Sequence, residues 1–129
     1  MKAYITCPVS NRQERLDLLP IIKETAQAKG VEPFVFQISD KPEEIFPRDY
    51  NLIKSCDLII AEVSEPSHGV GAEIGLSYEL GLKRILLLET GKNLSRLIQG
   101  VPETIIIEYK DIKELKDKLN KALENLNSK

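Results

Sequence analysis

The chain has 129 residues, a length typical of one domain, and we predict a single domain over residues 1–129. Its formal net charge of -2 excludes a strong basic field for nucleic acid. Its apolar runs are far shorter than the roughly 20 residues of a membrane span, and no signal peptide precedes the first strand-like segment, so we expect a cytoplasmic protein. The single histidine excludes a multi-histidine metal site, and Cys7 and Cys56 lack metal-binding spacing.

Segments typical of strands and helices alternate along the chain. The predicted strands are 3–7, 34–38, 58–63, 84–88 and 104–109. The predicted helices are one from a cap at residue 10 or 11 to Gly30, with a kink expected at Pro20, and then 47–55, 72–82, 93–98 and 112–126. This alternation predicts an α/β sandwich with a mostly parallel five-stranded sheet. Ligands of such folds bind beyond the carboxyl ends of the strands, which selects residues 8–12, 64–73 and 89–95.

A glycine-rich segment, A-E-V-S-E-P-S-H-G-V-G-A-E-I-G-L, follows the third predicted strand. Its G-x-G-x-x-x-G spacing is one residue too long for a dinucleotide-binding turn, and it lacks the Gly-Lys-Ser/Thr of a P-loop. We predict a small phosphate site instead, with Ser67 and the amides of Gly69 to Gly71 at a helix N-terminus. His68 lies in the same segment, where it either contacts the ligand or is solvated.

Two acids can supply chemistry beside this phosphate site. Glu73 follows the glycines, and Asp49 lies near the start of the preceding predicted helix. In one pocket, one carboxylate can attack an anomeric carbon while the other protonates the departing group. Each acid also fits a second role, interacting with the dipole of its own helix from the first turn. The sequence leaves both roles open.

Three stretches resemble a known family in type and order. They are K-A-Y-I at 2–5, R-D-Y-N-L-I-K-S-C-D-L-I-I-A-E-V-S-E-P-S-H-G-V-G-A-E-I-G at 48–75, and N-L-S-R-L-I-Q-G at 93–100. They are similar to the 2'-deoxynucleoside 5'-phosphate N-hydrolases of the nucleoside 2-deoxyribosyltransferase superfamily. The resemblance implies a flavodoxin-like, Rossmann-like three-layer sandwich that acts as a homodimer on a deoxynucleotide, with no metal or organic cofactor.

The resemblance also implies catalytic roles for three residues. Glu73 matches the nucleophile that attacks C1' of the deoxyribose. Asp49 matches the acid that assists departure of the base, and Tyr4 matches the tyrosine that orients the nucleophile. Two alternatives remain: a deoxyribosyltransferase that passes the sugar to a second base, and a nucleotide-binding module without turnover.

Further positions match the family's phosphate contacts. Ser67 matches a direct contact, Gly69 and Gly71 shape the loop, and Ser95 matches a serine that reaches the 5'-phosphate from the neighbouring subunit. The family usually carries a Gly-Ser-x-Arg segment after the first strand, whereas this chain has C-P-V-S-N-R at 7–12. Ser10 or Arg12 can substitute there if the loop is shifted. If neither does, a free nucleoside becomes the better substrate.

Overall fold

The computed structural model describes residues 1–9, 13–38 and 41–127, and its strands form one parallel sheet. The strands are β1 (Lys2–Thr6), β2 (Glu32–Val35), β3 (Leu58–Glu62), β4 (Lys83–Glu89) and β5 (Thr104–Tyr109). The helices are α1 (Gln13–Leu16), α2 (Leu18–Ala28), α3 (Pro42–Lys54), α4 (His68–Glu79), α5 (Arg96–Gln99) and α6 (Ile112–Asn127). The strand order is β2-β1-β3-β4-β5, and every neighbouring pair is parallel. This is the flavodoxin-like order, so the predicted fold class is confirmed.

Two clusters of buried apolar side chains attach helices to the two faces of the sheet. Successive residues of a strand point to opposite faces, so Ile5 and Ile60 pack towards α2 and α6, whereas Tyr4 and Ile59 pack towards α3 and α4. Each of these isoleucines is fully buried, which contributes about 1.5–3 kcal/mol per side chain. The alternation determines which residues of β1 face α4.

Pro20 divides the first predicted helix instead of kinking it. The helix α1 ends at Leu16 and α2 begins at Leu18, so Pro20 lies in the first turn of α2. Inside a continuous helix, its ring would clash with the carbonyl of Leu16 and would leave that carbonyl without its hydrogen bond. In a first turn, the missing N–H has no helical partner to lose. The predicted cap at residue 10 or 11 lies outside the described residues.

Two helices begin earlier than predicted. The helix α3 begins at Pro42, which occupies its first turn, and Pro47 therefore lies inside the helix instead of at its start. The helix α4 begins at His68 instead of residue 72, because Oγ of Ser67 caps it by accepting a hydrogen bond from the Val70 N–H at 3.2 Å. These corrections alter which side chains face the site.

The second strand was also placed wrongly. It was predicted at 34–38 but pairs with β1 from Glu32 opposite Lys2, and it ends at Val35. Ile38 is consequently outside the sheet and 66% exposed. Within the described ranges, every helix is too short or too polar to cross a membrane.

Candidate active site

The carboxylate of Glu73 is held by two residues of the sheet. Its Oε2 accepts a hydrogen bond from the Tyr4 hydroxyl, and its Oε1 accepts one from Oγ1 of Thr6 at 2.9 Å. Tyr4 and Thr6 lie two positions apart on β1, so both point towards α4. Tyr4 is fully buried and Thr6 is 1% exposed, which restricts their movement. The two hydrogen bonds fix both carboxylate oxygens near the carboxyl end of β1.

Neither acid occupies the first turn of its helix. No acid lies in the first turn of α4, and Glu73 is in the second turn. The acids in the first turn of α3 are Glu43 and Glu44, whereas Asp49 lies further along. The alternative that Glu73 and Asp49 are first-turn acids interacting with their helix dipoles is therefore wrong.

Glu73 and Asp49 line the same cavity, which has a volume of about 500 Å³. The Asp49 side chain is 15% exposed, and Nε of Arg48 donates a hydrogen bond to its Oδ1 at 3.2 Å. The Arg48 guanidinium also donates to the backbone carbonyl of Gln37. Arg48 thus joins the Asp49 carboxylate to the chain beyond β2, on one side of the cavity.

An apolar wall of this cavity comes from α3. Its lining side chains include Ile45, Phe46, Tyr50 and Ile53, which share one face of the helix. The Phe46 and Tyr50 rings stack with centroids 6.1 Å apart and 26° between their planes, and Phe46 is 60% exposed. An aromatic surface of this kind can stack against a planar base. The sequence prediction missed Ile45 and Phe46 because it began the helix after them.

The surroundings of Glu73 set its ionisation. Burial raises the pKa of its carboxyl, the hydrogen bonds from Tyr4 and Thr6 lower it, and the charge of Asp49 raises it, so the pKa lies above its usual range. Burial together with the carboxylates of Glu62 and Glu73 raises the pKa of the Cys7 thiol to about 12. Cys7 also lines the cavity, but its thiol stays protonated at neutral pH and is a poor nucleophile.

The predicted phosphate contacts surround the start of α4. Ser67 and Gly69 line the cavity of Glu73, whereas Gly71 lines a neighbouring cavity. Both glycines belong to the helix, so the expectation that they shape a loop is wrong. Apart from the neighbouring backbone of α4 itself, a Cβ at Gly71 would meet no described atom within 4 Å, and one at Gly69 would meet only Oγ of Ser67 at 3.9 Å. Packing within the described chain therefore leaves both positions open to a ligand or a second copy.

Ser95 and His68 lie away from the Glu73 cavity. In the described part of the chain, both line a second cavity of about 350 Å³, together with Ser67 and Gly71. Ser95 precedes α5, and His68 is the exposed first residue of α4. Ser67 lines both cavities, so the segment that carries it separates them. The two remaining predicted residues, Ser10 and Arg12, lie outside the described residues.

Thr6 is a site residue that the sequence prediction missed. Its only sequence signal is its position two residues after Tyr4 on the same strand, which places both on one face. The strand was predicted to run to residue 7, so this signal was present. The second hydrogen bond to Glu73 could have been expected from it.

Comparisons with known proteins agree with this fold. No protein-family model matches the chain. It is 28% identical over 136 residues to a Thermofilum pendens protein that carries the provisional name 2'-deoxynucleoside 5'-phosphate N-hydrolase 1, with 95% of each chain covered. It is 38% identical over 96 residues to the 5-hydroxymethyl-dUMP N-hydrolase of Danio rerio, covering 67% of this chain and 65% of that protein.

Two solved structures of related enzymes have the same fold. The Clostridium botulinum CMP N-glycosidase matches with a TM-score of 0.75 and 30% identity, over 93% of this chain and 99% of that one. The Bacillus psychrosaccharolyticus 2-deoxyribosyltransferase matches in fold, with a TM-score of 0.70 and 20% identity over 91% of each chain. The fold is thus that of the N-glycosidases and deoxyribosyltransferases. The chain belongs to the 2'-deoxynucleoside 5'-phosphate N-hydrolase family.

Proposed function

We propose that this protein hydrolyses the N-glycosidic bond of 2'-deoxynucleoside 5'-monophosphates, giving the free base and deoxyribose 5-phosphate. The observation that carries this proposal is the Glu73 carboxylate, fixed through both oxygens in a cavity that Asp49 also lines. The names of the N-hydrolase relatives support the reaction and the substrate class. The whole chain would form one nucleoside 2-deoxyribosyltransferase-like domain in the cytoplasm, where deoxynucleoside monophosphates are found.

In the proposed reaction, Glu73 attacks C1' of the deoxyribose as the bond to the base breaks. A 2-deoxy sugar lacks the electron-withdrawing 2'-hydroxyl and forms an oxocarbenium-like transition state readily, which a carboxylate stabilises. The product of attack is a glycosyl ester of Glu73, and water hydrolyses it. Tyr4 and Thr6 hold the attacking oxygens in place, which lowers the entropy lost on reaching the transition state.

Asp49 assists the departing base in this proposal. The base carries negative charge as the bond breaks, and the Asp49 carboxylate, which first takes up a proton from solvent, passes that proton to the base. The apolar wall that includes Phe46 and Tyr50 offers a surface on which the base stacks. That surface and Asp49 belong to the same helix, α3, so the base would be held beside its proton donor.

The 5'-phosphate would bind at the start of α4. The first N–H groups of a helix lack helical partners, and the helix dipole favours an anion there. Ser67 and Gly69 are at this end and line the same cavity as Glu73. Ser95 lines the other cavity of its own chain and not that of Glu73, so in this proposal it reaches the phosphate of the partner's site in a homodimer, as the family resemblance implies.

A product assay tests the proposal. Purified protein is incubated with deoxynucleoside 5'-monophosphates, 5-hydroxymethyl-dUMP, the corresponding deoxynucleosides, and CMP, and the released base is quantified by chromatography. We expect deoxynucleotides to react faster than deoxynucleosides and CMP, because the 2'-hydroxyl of CMP would lie close to Glu73. Faster release from CMP would instead match the ribonucleotide that the similar Clostridium botulinum enzyme is named for.

The same assay separates the two alternatives. A second free base is added to each reaction, and formation of a new nucleoside in preference to free sugar would identify a deoxyribosyltransferase. Tight nucleotide binding with no base released after long incubation would identify a binding module and contradict the proposal.

A further inference from the structure

An ion-pair cluster around a buried arginine lies at the carboxyl end of the sheet, outside the cavity of Glu73. Its centre is Arg15 of α1, which is 3% exposed. The Arg15 guanidinium lies 3.6 Å from the carboxylate of Glu62, which is fully buried at the end of β3. Its Nη2 also contacts Glu89 at 2.6 Å and Glu65 at 3.1 Å. One guanidinium thus joins α1, β3, β4 and the segment that follows β3.

Further hydrogen bonds tie the segment after β3 into this cluster. The N–H and the hydroxyl of Ser64 each donate to the Glu62 carboxylate at 2.7 Å, and Oγ of Ser64 accepts from the Glu89 N–H at 2.7 Å. The Tyr109 hydroxyl, at the end of β5, donates to Glu62 and accepts from Nη1 of Arg15 at 3.3 Å. Ser64 and Glu65 are consequently held against the ends of three strands.

Stability alone gives a weak reason for such a cluster. Removing charges from water is costly, and well-packed apolar residues usually replace a buried ion pair without loss. The position of the cluster suggests another reason. Only Pro66 separates Glu65 from Ser67, which caps α4, and α4 carries Glu73. The cluster therefore fixes the chain immediately before the helix that forms one side of the cavity.

We propose that Arg15 is a positioning residue that holds the segment 64–67, and with it the start of α4, in register with the strand ends. Its consequence for catalysis depends on the proposed function: the start of α4 is where the 5'-phosphate would bind. Arg15 itself is buried and contacts the carboxylates, not the substrate. Substitution of Arg15 should weaken binding of the 5'-phosphate while the overall fold persists.

Arg84 offers a matched control. It is also 3% exposed, but it lies at the amino end of β4. Its guanidinium donates to Thr104 Oγ1 at 3.0 Å and to the backbone carbonyls of Leu82 at 2.8 Å and Pro102 at 2.6 Å. Arg84→Lys therefore perturbs a buried arginine of the same sheet at the edge away from the site.

Amide hydrogen exchange tests the positioning role without any need for activity. We expect exchange across residues 64–71 to be about tenfold faster in Arg15→Lys than in the wild type, because local opening becomes easier. Arg84→Lys should leave exchange in this segment unchanged. Unchanged exchange in Arg15→Lys, or equal acceleration in both variants, would overturn the proposal. If Arg15→Lys does not fold, Tyr109→Phe and Glu89→Gln take its place in the same comparison.

Kinetics then test the consequence for the site. In Arg15→Lys we expect KM for a deoxynucleoside 5'-monophosphate to rise about tenfold or more, since small displacements of a binding group are costly. The kcat and the activity on the matching deoxynucleoside should change little, and Arg84→Lys should have wild-type KM. A fall in kcat alone, or an equal loss on both substrates, would contradict the role in holding the phosphate. If the wild type releases no base at all, the proposed function fails, and hydrogen exchange still decides the role of Arg15.

Discussion

The Tyr4 hydroxyl donates a hydrogen bond to Oε2 of Glu73, linking β1 to α4 across 69 positions of the chain. Thr6 donates to the other oxygen, so the carboxylate is oriented by the sheet instead of by its own helix. A strand is a rigid support, and a side chain held from it keeps a defined position relative to the cavity. The two hydrogen bonds also favour the ionised carboxylate, and so oppose the rise in the pKa of Glu73 that its burial causes.

Thr6→Val should move the pH dependence of the reaction. The hydrogen bond from Thr6 lowers the pKa of Glu73, so its loss raises that pKa. Because the ionised carboxylate attacks, the acid limb of kcat/KM shifts to higher pH. At neutral pH we expect a loss of about tenfold, typical of one hydrogen bond to a charged group. A pH series of kcat/KM measures this. Thr25→Val, which alters a buried threonine of α2 bonded to the Ile21 carbonyl, is the control and should leave the profile unmoved.

Glu73→Gln should make the protein more stable at neutral pH. The pKa of Glu73 is raised in the folded state, so the native protein binds more protons than the unfolded chain between the two pKa values. Stability therefore falls as pH rises through that window, and a neutral amide removes the loss. We expect Tm of the variant to exceed that of the wild type at pH 7, with the difference disappearing below about pH 4. Glu79→Gln, on the exposed end of α4, should show no such pattern, and a variant less stable than the wild type at pH 7 would refute this reasoning.

Asp49→Asn should reduce kcat in proportion to how much the base needs a proton. General-acid assistance typically contributes about 10²–10⁴-fold, and we expect a loss in that range for ordinary bases. For substrates whose bases are good leaving groups, kcat should fall much less. Asp117→Asn, on the exposed side of α6, is the matched control. Equal losses for good and poor leaving groups would contradict the role of Asp49 as a proton donor.

Subunit mixing tests whether Ser95 acts across a dimer interface. Glu73→Gln and Ser95→Ala proteins are each expected to be impaired. If Ser95 serves the partner's site, random exchange of the two should restore about a quarter of the wild-type sites, because half the dimers are mixed and each has one complete site. Activity that stays at the average of the two parents after exchange would show that Ser95 does not act in this way.

Gly69→Ala should weaken nucleotide binding without harming the fold. An added Cβ there makes only an ordinary contact with Ser67 Oγ, but Gly69 lines the cavity where the phosphate would bind. Gly75→Ala is the control. Gly75 lies on the same helix, and apart from the backbone of that helix its added Cβ would meet no described atom within 4 Å. An alanine inside a helix gains about 1 kcal/mol over glycine, so the control should keep its affinity and gain stability. Calorimetric titration with a deoxynucleotide distinguishes the two, and equal affinities would contradict a phosphate near Gly69.

The sequence predicted every strand except the second to within one residue at each end, because these strands carry strong apolar patterns. The fifth strand was predicted with the bounds that the structure has, Thr104–Tyr109. The errors fell where local signals conflict. The sequence predicts a helix start at Pro47, but Pro42 provides that start and Pro47 is tolerated inside the helix. Likewise, the glycines after Ser67 indicated a loop, whereas the serine cap is strong enough to begin the helix before them.

The site was less predictable, because its contacts join distant parts of the chain. The sequence indicated Glu73 and Asp49 as candidate acids, and the resemblance added Tyr4 and a role for each of the three. The structure places Glu73 and Asp49 in one cavity, with Tyr4 hydrogen-bonded to Glu73. The resemblance did not supply the cluster around Arg15, whose partners on β3, β4 and β5 become neighbours only when the sheet forms. Such clusters depend on tertiary packing, which local sequence patterns do not encode.

The most direct test of the central claim is base release by Glu73→Gln, measured with the deoxynucleotide that the wild type turns over fastest. The amide keeps the size of the side chain and can still accept a hydrogen bond from Tyr4, but it is a far weaker nucleophile. With folding verified by Tm, we predict that kcat falls by about a thousandfold or more, while Glu79→Gln keeps wild-type activity. Release of base by Glu73→Gln at the wild-type rate would contradict the account.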